Sequence, residues 1–132
     1  MAKEFLNPAG LPNPGGFTNV VSAVGGKVIF IAGQVAFDTQ LQIVGRGDLA
    51  AQTRKTCENM QVALAAAGAS FADVVKLNVY VVGYRPEHRQ VISAVRNQFV
   101  SREHPPASTL IGVQALAADG LLIEIEAIAI TD

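Results

Sequence analysis

The sequence lacks most of what would tie it to a secreted scaffold, a membrane or a nucleic acid. Cys57 is the only cysteine among 132 residues, so no internal disulfide can form and a stapled secreted domain is excluded. Charged residues make up 16% of the chain, where about 25% is usual. The 10 Lys and Arg are offset by 11 Asp and Glu, for a net charge of −1. Without a basic excess there is little to hold a phosphate backbone, so no nucleic-acid partner is expected. No apolar run reaches the roughly 18 residues that a membrane span needs. The opening Met1-Ala2-Lys3-Glu4-Phe5 has neither the basic region nor the apolar core of a secretion leader. A soluble cytoplasmic protein with no membrane partner is the expectation.

What the chain does have is apolar residues, 50% of the total, too many for a disordered chain. No linker or composition break divides it, and the length fits a single domain over 1–132. Residues 7–16 carry three prolines and three glycines and read as an irregular lead-in loop. Two apolar runs, Val20–Val24 and Lys27–Gly33, flank Gly25-Gly26, which suggests a tight hairpin. Asp48 is placed to cap a helix whose buried stripe runs through Leu49, Thr53, Thr56, Cys57, Met60, Leu64 and Ala67, with Gly68 as its left-handed stop. From Val74 to Val82 the pattern alternates, Val75, Leu77, Val79 and Val81 against Lys76, Asn78 and Tyr80, which predicts a strand. Pro86 opens a second helix with Val91, Ile92, Val95 and Phe99 inward, and Pro105-Pro106 ends it. Ser108–Val113 and Leu121–Ile130 complete the set as strands.

The resulting order is β-β-α-β-α-β-β, an α+β domain with one mixed sheet. Two helices cover only one face of such a sheet. Yet Val28-Ile29-Phe30-Ile31 is apolar throughout, as in a strand buried on both faces. Another copy of the chain is the simplest cover for the second face, so a homo-oligomer is expected.

No phosphate loop, nucleophile elbow or zinc-ligand spacing is present, and His88 and His104 have no neighbouring Cys/His cluster, so no metal is expected. Cys57 on an apolar helix face reads as a small core residue. Glu124 and Glu126 share one face of a strand, about 6.6 Å apart at about 3.3 Å per residue. Paired carboxylates can divide acid and base work, and they can equally be a solvated or ion-paired polar face. Spacing leaves both readings open.

One resemblance gathers these features. Pro106-Ala107-Ser108-Thr109-Leu110-Ile111-Gly112-Val113, then Leu122-Ile123-Glu124-Ile125-Glu126-Ala127-Ile128-Ala129, resembles the C-terminal signature of the RidA/YjgF reactive-intermediate deaminase family. Phe30-Ile31-Ala32-Gly33-Gln34, the helix over 52–68 and the strand over 74–82 fit it as well. The resemblance implies a chorismate-mutase-like fold and a homotrimer whose sheets close into a central barrel. It also implies small-molecule clefts at the subunit interfaces and no cofactor. Archetypal members hydrolyse enamine or imine intermediates to keto acids and ammonia, with an arginine holding the substrate carboxylate and a glutamate positioning water.

Carried onto this chain, the ligand-binding positions are Phe17, Gly33, Ser108, Thr109 and Glu124, with Glu124 as the catalytic candidate. Three of them depart from the pattern. The arginine position holds Ser108, which has no charge and no fork. The phenol position holds Phe17, and the serine before Gly33 is Ala32. The expectation is therefore a homotrimer binding a less polar metabolite, with imino-acid deamination weak or absent. The alternative is a working enamine/imine deaminase in which another cation, Arg102 first, replaces the arginine. A ribonuclease reading, attached to the family by name, ranks last because of the charge balance.

Overall fold

The computed structural model describes residues 2–132. Its longest helix forms where a cap, an apolar stripe and a stop coincide. Asp48 is extended and its Oδ1 accepts the Ala51 N–H at 3.0 Å, starting α1 (Leu49–Ala66). Gly68, at φ +76°, turns the chain away after the last turn. Gln52, Thr53, Thr56, Cys57, Met60 and Leu64 form the buried stripe. Gln52 is fully buried, and its amide is satisfied by the Gly45 and Gly120 carbonyls at 3.2 and 2.9 Å and by the Leu122 N–H at 2.8 Å. It stitches the loop before α1 to the entry of the last strand.

Four strands make the main sheet: β3 (Lys27–Gln34), β4 (Val74–Val82), β5 (Ala107–Val113) and β6 (Ile123–Thr131). Their order is β3-β6-β4-β5, with β4 and β5 parallel and the other pairs antiparallel. The second helix, α2 (His88–Arg96), lies between β4 and β5 in sequence. Leu77, Val79 and Val81 of β4 and Ile123, Ile125, Ala127 and Ala129 of β6 pack with Met60, Leu64 and Ile92 from the helices into one core. The other face carries no helix. There Val28 is 50% exposed, Phe30 76% and Ile111 48%. Among the described residues, no helix is long and apolar enough to cross a membrane.

The α+β class and the two-helix arrangement agree with the sequence, but the first strands do not form the expected hairpin. β2 (Val20–Val24) pairs antiparallel with β1 (Ala2–Leu6), in a ribbon separate from the main sheet. The main sheet therefore has four strands, not the five of the expected order β-β-α-β-α-β-β. Gly25 and Gly26 do take positive φ, 76° and 83°, yet the turn passes the chain from ribbon to sheet instead of pairing β2 with β3. In β4 the register shifts between Val74 and Lys76. Val74 therefore takes the core position expected for Val75. Pro86 lies two residues ahead of α2, which begins at His88 with no side-chain cap.

Candidate functional site

The chain brings two of the five candidate positions together at one end of the helix-covered face. Ser108 sits opposite Leu77 on β5, so its side chain leaves the sheet toward α2. Phe17 arrives from the lead-in loop, which is tied down on both sides of the site. The Thr18 N–H bonds the Pro106 carbonyl at 3.1 Å, and the Thr18 hydroxyl bonds that of Pro105. Between them lies a cavity of about 390 Å³, within the usual size for a small-molecule site. Ile92, Leu110 and the Phe17 ring give it an apolar wall. Tyr84, Arg89, Ser93, Arg96, Asn97 and Ser108 supply the polar groups, and among the described residues no carboxylate lines it.

The two arginines come from α2, one at each end of the helix. Arg96 is half-buried and donates from Nη2 to the Gly16 carbonyl at 3.0 Å, while its buried Nε has no partner. Burial lowers its pKa from the ordinary guanidinium value, and the Arg89 charge acts in the same direction. The group still carries its charge at neutral pH. Arg89 is exposed at the cavity mouth. Sequence reasoning missed both, because the helix was read only for its apolar stripe. The signal was available: Arg89, Ser93 and Arg96 follow i, i+4, i+7, the spacing of one helix face. Tyr84 was missed as well; it restores a phenol to a cavity where Phe17 lacks one. Arg102, expected as the substitute cation, is exposed beyond α2 and does not line the cavity.

Gly33, Thr109 and Glu124 lie elsewhere. Glu124 pairs with Tyr80 across β4 and β6, on the bare face of the sheet. Its carboxylate lies over Gly33 so closely that a Cβ there would meet Glu124 Oε2 at 2.0 Å and Cγ at 2.9 Å. That approach is what a glycine at 33 permits. Thr109 faces the same bare side, where its hydroxyl accepts from Lys76 Nζ at 2.7 Å. Glu126 shares the face and is engaged locally. It accepts from the Tyr80 hydroxyl, and from Asn78 Nδ2 at 3.3 Å. The bond to Glu126 is the main cause of the raised Tyr80 pKa. Glu126 is thus neither free in solvent nor ion-paired but held by two neutral hydrogen-bond donors, while among the described residues no such donors hold Glu124. Within a single chain, Ser108 and Glu124 are on opposite faces of one sheet.

The remaining candidates behave as core or surface groups. Cys57 is buried, and desolvation pushes its thiol up to about 12. His88 Nδ1 accepts the Arg85 N–H at 3.0 Å, and His104 packs on Phe5. Among the described residues, no group of three His, Cys, Asp or Glu side chains converges as metal ligands would.

Comparison with known proteins adds four findings. Residues 12–131 match the family profile described as Endoribonuclease L-PSP. A RutC family protein of Pyrococcus abyssi is 35% identical, over 98% of each chain. A crystal structure of YyfB from Yersinia pestis, a protein of unknown function of the Rid family, superposes with a TM-score of 0.92. It is 41% identical and covers 99% of this chain and all of its own. More distantly, a 2-iminobutanoate/2-iminopropanoate deaminase of Dermatophagoides farinae is 24% identical over 98% of each chain.

Proposed function

Because the chain belongs to the RidA/YjgF family, described also as the endoribonuclease L-PSP family, we propose that it is a homotrimer binding a small metabolite in clefts between its subunits. The carrying observation is the cavity in which Phe17 and Ser108 meet. Two features favour completion of this cavity by a second chain. The bare sheet face exposes Val28, Phe30 and Ile111, more apolar surface than a small monomer keeps without reason. And Glu124 can join a site containing Ser108 only if another subunit contributes one of them, since one sheet separates the two.

In this reading, archetypal deamination is weak. Hydrolysis of a 2-imino acid adds water across C=N, gives a keto acid and releases ammonia. The reaction needs the carboxylate held so that water meets the imine carbon at a workable angle. Ser108 offers a hydroxyl where a forked cation would stand, and the cations that do reach the cavity enter from α2, a different direction. The test couples a dehydratase that generates 2-iminobutanoate to keto-acid detection. The expected rate with excess protein equals the spontaneous rate. A several-fold acceleration overturns this reading in favour of a working enamine/imine deaminase. Glu124 and the Dermatophagoides relative support that second possibility.

A further inference from the structure

We propose that the ligand is a small uncharged carboxamide, held by the neutral side chains of Tyr84, Ser93, Asn97 and Ser108. The inference rests on the reading that the cavity of Phe17 and Ser108 is the ligand cleft, and it names the class of ligand.

The four side chains reach the cavity from α2, from β5 and from the turn after β4. Ser93 and Asn97 stand four residues apart at the end of α2, on one face of the helix. Tyr84 is set in place by a glycine. Gly112 shares the β5 face of Ser108 and Leu110, and a Cβ there would meet the Tyr84 Cβ at 2.9 Å. The His88 ring meets the phenol edge-on, with centroids 6.0 Å apart. All four side chains are half-buried, and among the described residues none of their polar atoms has a hydrogen-bond partner. Polar groups withdrawn from bulk water are normally satisfied. Each of the four can both donate and accept. A ketone offers them an acceptor alone, whereas a carboxamide offers a carbonyl oxygen and N–H donors together. Its planar head also matches the Asn97 amide, donor to acceptor and acceptor to donor.

The nearby charges do not call for an anion. Arg96 is committed to the lead-in loop through the Gly16 carbonyl, and its Nε is buried out of a ligand's reach. Arg89 is exposed at the cavity mouth, where water and salt screen it. A carboxylate would exchange its water for neutral donors with no fork to receive it, at a high desolvation cost. An amide gives up less, and it can turn its carbonyl oxygen, the negative end of its dipole, toward the arginines. Phe17, Ile92 and Leu110 are apolar and suit a hydrocarbon tail of a few carbons.

The experiment titrates the intact, 15N-labelled protein at pH 7 with three four-carbon probes: butanamide, butanone and butanoate. Expected with butanamide are saturable shifts of the Phe17 and Ser108 backbone amides, with the Asn97 side-chain NH2 resonances moving in step. Butanone and butanoate should bind about tenfold more weakly or worse. Asn97→Leu and Ser108→Ala, which each remove one polar group, should weaken butanamide binding by about fivefold or more. Butanone or butanoate binding at Phe17 and Ser108 as tightly as butanamide overturns the amide class and leaves the cleft reading standing. So does a butanamide affinity unchanged in both variants. No saturable shift at Phe17 and Ser108 with any of the three probes overturns both. If Asn97→Leu fails to fold, Ser108→Ala and the ranking of the probes decide.

Discussion

At the scale of single residues, the site is defined by where polar atoms have partners and where they do not. Gly33 shows a close approach: its missing side chain is the space that the Glu124 carboxylate occupies. Gly33→Ala should displace Glu124 with little loss of stability, because the obstructing group is a flexible side chain that can swing away. Crystallography of the variant should show a changed Glu124 rotamer over an unchanged sheet. Cys57 gives a pH prediction. Burial raises its pKa from 9.0 to about 12, so the folded state disfavours the thiolate that the unfolded chain forms freely. Its contribution is intact below pH 9 and is lost as pH rises toward 12, by up to about 1.4 kcal/mol per pH unit. Denaturant midpoints at pH 8 and 10.5 should fall further for wild type than for Cys57→Ala.

At the scale of elements, α1 hangs on one polar residue. Replacing Gln52 by Leu roughly keeps the volume but removes the partners of the Leu122 N–H and the Gly120 carbonyl, while the Gly45 carbonyl keeps the Asp48 N–H. Each lost partner costs about 1–3 kcal/mol, so the variant should melt many degrees lower by calorimetry. The elements also show what sequence made legible. Asp48, the stripe through Met60 and Leu64, and Gly68 mark α1 by local chemistry, and alternation marks β4 from Leu77 onward. Strand pairing depends on distant partners. Gly25-Gly26 announces a turn, but nothing local says that β2 pairs with β1 and not with β3. Glu124 and Glu126 share one face as their period predicts, yet which of them is engaged depends on Tyr80 and Asn78, 46 and 48 residues upstream of Glu126. Arg96 was hidden because it does its work beside a stripe recognised by apolar residues. Its meaning depends on Ser108, which only the fold brings near. That displacement makes an exchange testable: Ser108→Arg combined with Arg96→Ala returns the cation to β5. The double variant should hydrolyse 2-iminobutanoate faster than wild type in the coupled assay, whereas Arg96→Ala alone should not.

At the scale of the whole molecule, β3 presents one residue to each side of the sheet, and the two sides call for different outcomes. Ile29 is 8% exposed and packs in the core, while Phe30, its neighbour, is 76% exposed on the bare face. A charge at Ile29 has no compensating partner in the core and should unfold the chain, since an unpaired buried charge costs several kcal/mol. A charge at Phe30 costs a lone chain almost nothing, because the position is already in water. If three copies bury this face, the same charge is buried three times over in the assembly, and the assembly should break. Light scattering on wild type should give three times the 13.8 kDa chain mass. Phe30→Asp should retain the wild-type circular dichroism spectrum while its mass falls toward that of one chain, and Ile29→Asp should lose the spectrum itself. The family's nuclease name can be read on the same samples, since a chain of net charge −1 should retain no RNA at physiological salt. A wild-type mass of one chain, or a Phe30→Asp protein that keeps the wild-type mass, would mean that the bare face is not a subunit seam. The cleft would then have to work with the residues of a single chain, Glu124 excluded.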